Sequence, residues 1–329
     1  MKRIIAVFII ICLLTVCSCS CSHPTSTERL QIICTVFPQY DFVRNIVRDK
    51  ADVKMLVPLG TESHDFKLEN LTVAELKSVA TADLVIYVGG ESDSNWITEL
   101  RSTVKNNGTK WCALTEMTET LEEIISESMV DDHEEHDNEH EHDDNHVHSM
   151  YDEHIWTSPK RVIDVVKKIS DILAEIDTEN AEFYRQNGAD YIEQLMSLDE
   201  RLVKVTAENQ GKKLIFGDRF PFRYLFHDYG LDFDAAFAGC SAVSDPSVSQ
   251  MTSLTQTALN EKAKVIFYME NSKPIFAETI AKAIGGRAEL LHSCHTVTKE
   301  EILSGKDYVS LMNENIQKLA EALYDKVDS

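Results

Sequence analysis

Residues 178–209 read TENAEFYRQNGADYIEQLMSLDERLVKVTAEN, a stretch without proline. Apolar side chains recur three or four apart, as at Tyr191, Leu195, Leu198 and Leu202, and Gly188 is the one internal glycine. Thr178 and Asn180 are suitable capping residues at the start. A helix of about 30 residues is about 45 Å long, more than one small domain measures across, so it reads as a rigid connector between two bodies. Few helix breakers occur from Pro159 onward, so the whole of 159–210 reads as helical.

Strand and helix alternate on both sides of this connector. Upstream, Ile32–Val36 is a β-prone run ended by Pro38, and Asp41–Val47 has helical spacing. Val53–Val57 follows as a strand, 71–80 as an amphipathic helix, and 82–88 as a buried strand closed by Gly89 and Gly90. Downstream, 213–216 and 264–268 read as strands, 249–262 and 275–284 as helices, and 308–327 as a closing helix. The expected fold class is α/β: two α/β lobes, each with a mostly parallel central sheet and flanking helices, joined by one long rigid connecting helix. The expected boundaries are 30–158 for the N-terminal lobe, 159–210 for the helical segment and 211–329 for the C-terminal lobe.

The 329 residues suffice for two ordinary domains. Lys and Arg number 32 against 55 Asp and Glu, a net charge of -23, which repels phosphate backbones and suits cationic ligands. Nucleic acid is therefore excluded as an expected partner. Residues 1–21 read MKRIIAVFIIICLLTVCSCSC, with a basic start at Lys2 and Arg3 and an apolar run over 4–16. Thirteen apolar residues span about 20 Å as a helix, short of the roughly 30 Å hydrocarbon core, so 1–18 reads as a secretory signal. The cysteine run after it resembles a bacterial lipobox. Cys19 is the favoured lipidated residue, with Val16 and Ser18 before it, and Cys17 and Cys21 are alternatives; residues 19–29 then form a tether.

Residues 129–150 read MVDDHEEHDNEHEHDDNHVHSM, holding six of the twelve histidines beside nine carboxylates. Such a segment cannot bury apolar surface and is expected to be disordered when free. Its imidazoles and carboxylates suit divalent cations but offer no fixed geometry, so it reads as a capture loop and not as the tight site.

Six motifs, in this order, carry a resemblance that extends over nearly all of the mature chain. They are FPQYDFVRNIV (37–47), VKMLVPLGTESHDF (53–66), ADLVIYVGG (82–90) with Trp96 after it, DEHIWTSP (152–159), YLFHDYGLDF (224–233) and YVSLMNENIQKL (308–319), with the histidine-rich insertion between the third and fourth. Together they resemble the zinc/manganese-type substrate-binding lipoproteins of ABC importers. The resemblance implies metal held between two lobes, an ABC permease as partner, a lipid anchor on the membrane, and action as a monomer without catalysis. It implies His64 and His154 as ligands from the N-terminal lobe. Where the family often carries a third histidine, this chain has Arg219, which cannot ligate a cation.

Glu270 matches the family's strand-end glutamate, and His292 falls where manganese-type members carry aspartate. The set His64, His154, Glu270 and His292 would suit tetrahedral Zn(II) and tolerate Mn(II). His295 and Asp218 are alternative ligands. Cys240 and Cys294 lie in loops after strands and are open to two readings, a disulfide or thiolate ligation. The competing functions are an exported zinc hydrolase and a surface adhesin. Against the first, the sequence holds no His-Glu-x-x-His pair and no Gly-x-Ser-x-Gly elbow.

Overall fold

The apolar run that opens the folded chain, β1 (Leu30–Cys34), is buried from Ile32 onward, as a strand covered on both faces must be. It leads into α1 (Phe37–Val47), where Pro38 in the first turn costs no hydrogen bond. Then come β2 (Ala51–Met55), α2 (Val73–Ala80), β3 (Leu84–Tyr87), α3 (Glu91–Val104) and β4 (Lys110–Ala113). The sheet order is β2-β1-β3-β4 and every pairing is parallel. This computed structural model describes residues 29–61, 63–105, 108–129, 151–239, 241 and 245–324. The signal at 1–18, the tether up to 28, the histidine-rich stretch 130–150 and Cys240 lie outside the described residues.

The second lobe repeats the plan with β5 (Lys213–Phe220), α6 (Arg223–Tyr229), β6 (Asp232–Ala238), α7 (Val248–Asn260), β7 (Val265–Tyr268), α8 (Ile275–Ile284) and β8 (Arg287–Leu290). Its order, β6-β5-β7-β8, is again all parallel and equivalent to that of the first sheet. Alternation along β5 decides which core each residue joins. Leu214 and Phe216 face a continuous apolar cluster that includes residues of both lobes, while Ile215 faces a smaller cluster under α7 and α8. Strand β5 runs four residues past the expected 213–216, with a register irregularity between Phe216 and Arg219, and so carries Arg219 into the sheet.

Between the lobes lie α4 (Pro159–Ile176) and α5 (Ala181–Thr206), packed as a helical hairpin. Gly188 permits the close approach: a Cβ there would meet Ser170 Oγ at 2.1 Å. The connector is 26 residues, shorter than the expected 178–209. Its start is displaced because Asn180 donates to the Asp177 carboxylate at 2.8 Å, which ties 177–180 into a turn. Helix α5 is bonded to both lobes. Asn187 donates to Ile46 O at 2.8 Å and Tyr191 to Asp41 at 3.2 Å on one side, and Tyr229 donates to Asp199 at 2.7 Å on the other.

The chain ends in α9 (Lys299–Leu303) and α10 (Tyr308–Tyr324). Asp41, on α1, also accepts from Tyr308 N at 3.3 Å, so α1, α5 and α10 meet at one buried carboxylate. Burial, reinforced by Asp307, pushes that carboxyl up to about 6.

Candidate metal centre

Loops beyond the carboxyl ends of strands in both sheets bring three histidines together, where open α/β sheets place their ligands. His64 sits on a 3-10 turn, Ser63–Asp65, after β2. His154 precedes another, Ile155–Thr157, that feeds α4. His295 follows β8 on a loop of the second lobe. One ligand atom of each of these three histidines lies within 4.8 Å of the others. Their ring centroids are 5.2–5.7 Å apart. The side chain of His64 is 15% exposed and that of His154 1%, so the cluster opens to solvent on the His64 side.

Carboxylates support the two N-terminal histidines. Asp152 Oδ1 accepts from His154 N at 2.8 Å and lies 3.2 Å from His154 Nδ1, a contact that leaves Nε2 for a cation. Tyr224 holds that turn by donating to Asp152 O at 2.6 Å. Glu153 Oε1 lies 3.6 Å from His64 Nδ1. Gly239, at the end of β6, lets the second lobe approach: a Cβ there would meet His154 Cε1 at 3.2 Å and Phe220 O at 3.0 Å. Trp156 packs on both His154 and His295, with centroids at 5.3 and 5.0 Å, and its indole donates to Ser293 O at 3.0 Å.

His295 is presented differently. Cys294 before it adopts φ 60, a left-handed conformation unusual for a non-glycine residue. Glu270, just beyond β7, braces the turn by accepting from Ser293 N at 2.7 Å, Ser293 Oγ at 2.5 Å and His295 N at 3.3 Å. Ser63 Oγ, from the other lobe, bonds His295 Nε2. Gly60 N donates to Thr296 Oγ1 at 3.0 Å nearby, so the same two loops touch twice. Burial pushes the His295 imidazole well below its ordinary pKa, and His64, His154 and Arg219 add to the shift. It is therefore neutral, the form that ligates metal.

This arrangement differs from the expected ligand set. The structure brings His64 and His154 together with His295, and it places Glu270 and His292 outside that triangle. The oxygens of Glu270 are occupied by the 293–295 turn. His292 Nδ1 accepts from Cys294 N at 2.9 Å, and its Nε2 lies 3.5 Å from Glu301. Asp218 is likewise occupied, accepting from Arg219 N at 2.8 Å and Met269 N at 3.0 Å. Cys294 is a free, fully buried thiol outside the histidine cluster, and Cys240, with which the sequence left a disulfide or shared thiolate ligation open, lies outside the described residues. Cys34 and Cys112 are free and buried, as small apolar residues are.

The family described as zinc-uptake complex component A, periplasmic (ZnuA), matches residues 32–322. The high-affinity zinc uptake system protein ZnuA of Bacillus subtilis is 32% identical over 320 residues, covering 96% of each chain. The zinc-binding lipoprotein AdcA of Streptococcus pneumoniae is 28% identical over 321 residues, 98% of this chain but 61% of AdcA, so the chain spans less than two thirds of that relative. Among solved structures, the Zn(II)-bound ZnuA-like domain of S. pneumoniae AdcA superposes with a TM-score of 0.70 at 26% identity, covering 90% of this chain and 99% of that domain. The metal-dependent lipoprotein YcdH of B. subtilis gives 0.72 at 26% identity, with 90% and 99% coverage. The two equivalent parallel sheets joined through a helical hairpin thus have a known counterpart, and the chain belongs to the ZnuA family of zinc-uptake components.

Proposed function

We propose that the protein is an extracytoplasmic solute-binding lipoprotein that captures a divalent transition metal between its lobes and delivers it to an ABC importer. The observation that carries this reading is the convergence of His64 and His154 from one lobe with His295 from the other. Three neutral imidazoles suit Zn(II) in a tetrahedral site with one further position, and Mn(II) less well. The names of the relatives support zinc: the B. subtilis protein is a zinc uptake component and AdcA is zinc-binding. The lipid anchor at Cys19 and action as a monomer belong to the same proposal. The metal is cargo, so the ligands hold it without a reaction.

A three-histidine set with an open position is also that of some zinc hydrolases. Burial of His154 and His295 against Trp156 suits an enclosed ion and favours transport. The test is a chelator-competition titration of the protein with residues 131–148 deleted. One tight zinc per chain is expected. Absence of a tight site, or metal-dependent hydrolysis of generic esters, would contradict the proposal.

A further inference from the structure

Glu153 is buried against the metal-facing side of the N-terminal lobe, and its two oxygens have unequal surroundings. Oε2 accepts from Ser92 N, in the first turn of α3, at 3.0 Å. Among the described residues Oε1 has no hydrogen-bond partner although it is fully buried, and it lies 3.6 Å from His64 Nδ1. The pocket is shaped for this side chain: a Cβ on Gly90 would meet Glu153 Oε2 at 2.0 Å. A helix N-terminus favours an anion, which accounts for the oxygen on Ser92. It does not account for the oxygen on His64, because a buried acceptor without a donor is unfavourable.

An all-imidazole ligand set resolves this. Three neutral ligands leave both charges of a divalent ion uncompensated in a mostly buried site, and such burial is costly without counter-charge. Asp152 behind His154 and Glu153 behind His64 place two carboxylates one bond further out.

We propose that Glu153 is a positioning residue for metal capture, holding His64 as the Nδ1–H tautomer so that Nε2 faces His154 and His295, and supplying negative charge just behind the ligand. This rests on the metal-binding reading above. Ligand-backing carboxylates of this kind contribute roughly 10- to 100-fold in metal affinity.

Glu153→Gln tests it in the full-length protein. Ser92 N requires an oxygen on its side, so the new amide NH2 would face His64 Nδ1, make that nitrogen an acceptor and move the proton to Nε2. Nitrogen-15 NMR of the metal-free protein should show His64 changing from the Nδ1–H to the Nε2–H tautomer. Zinc affinity by chelator competition should fall about 10- to 100-fold. The metal-free melting temperature should hold within a few degrees, which a merely structural role for Glu153 would not allow. An unchanged tautomer, or an affinity within twofold of wild type, would overturn the inference. Gly90→Ala, which displaces the carboxylate without removing its charge, gives a second reading if Glu153→Gln does not fold, and it should also weaken zinc binding. His64→Ala in parallel separates the two levels. If His64→Ala abolishes tight binding while Glu153→Gln and Gly90→Ala do not weaken it, the positioning role fails and the metal site stands. If His64→Ala has no effect, the site itself fails.

Discussion

In the N-terminal lobe two histidines stand on 3-10 turns with a carboxylate behind each, Glu153 at 3.6 Å from His64 and Asp152 at 3.2 Å from His154. In the C-terminal lobe the one member of the cluster, His295, stands after a left-handed residue, with a serine of the opposite lobe on its ring and Arg219 acting on it electrostatically. The two sheets have the same strand order, so topology does not cause the difference. The N-terminal half-site carries negative charge ready for a cation, while the C-terminal ligand depends on the lobes touching. On this account the first lobe captures metal and the second completes its coordination.

The largest expected effects fall on the N-terminal half. His154→Ala and His64→Ala should each weaken zinc by more than about 100-fold, beyond the range for residues that only back a ligand, as read by competition with a strong chelator. His295→Ala should weaken it by roughly 100-fold, and His292→Ala by less than about 10-fold. An inverted order for His295 and His292 would break the comparison. Glu270→Gln should follow, with about 10-fold weaker binding through loss of the turn that presents His295, and with about 1–3 kcal/mol lower stability in urea for the metal-free protein.

The smallest effect on metal is expected at Asp41, where α1, α5 and α10 join the lobes. Its carboxyl is raised from 3.8 to about 6, so the native state binds this proton more tightly than the unfolded chain does. The stability from that proton is present in full below about pH 4 and is lost as pH rises through about 6. Tyr191, Asp307 and Arg44 also act on the group. Asp41→Asn removes the titration. Its urea stability relative to wild type should rise by about 2 kcal/mol between pH 4 and pH 7, with zinc affinity unchanged. A pH-independent difference would remove Asp41 from the account.

Much of the architecture was legible in the sequence because it rests on local pattern. The apolar run at Ile32–Cys34, the connector's Tyr191, Leu195, Leu198 and Leu202, and helix 275–284 all appear where periodicity places them. What was not legible depended on contacts distant in the chain. The extension of β5 to Phe220 needs β6 as a partner, and the shortened start of α5 needs Asp177 folded back on Asn180. His64 and His154 were legible in the loop after β2 and in DEHIW. The placement of His295, and not His292, beside them was not, because it turns on the φ of Cys294 and on Glu270 reaching the 293–295 turn from another strand. The nearest sequence signal was two histidines three apart in one loop after β8. The proximity of Glu153 to His64 was equally hidden, since the two are nearly ninety residues apart in the chain.

The most direct measurement is a zinc-bound crystal structure with anomalous data at the zinc edge. One strong peak bounded by His64, His154 and His295, with nitrogens at about 2.0–2.1 Å, is expected. A peak beside Glu270 and His292, with His295 unligated, would contradict it.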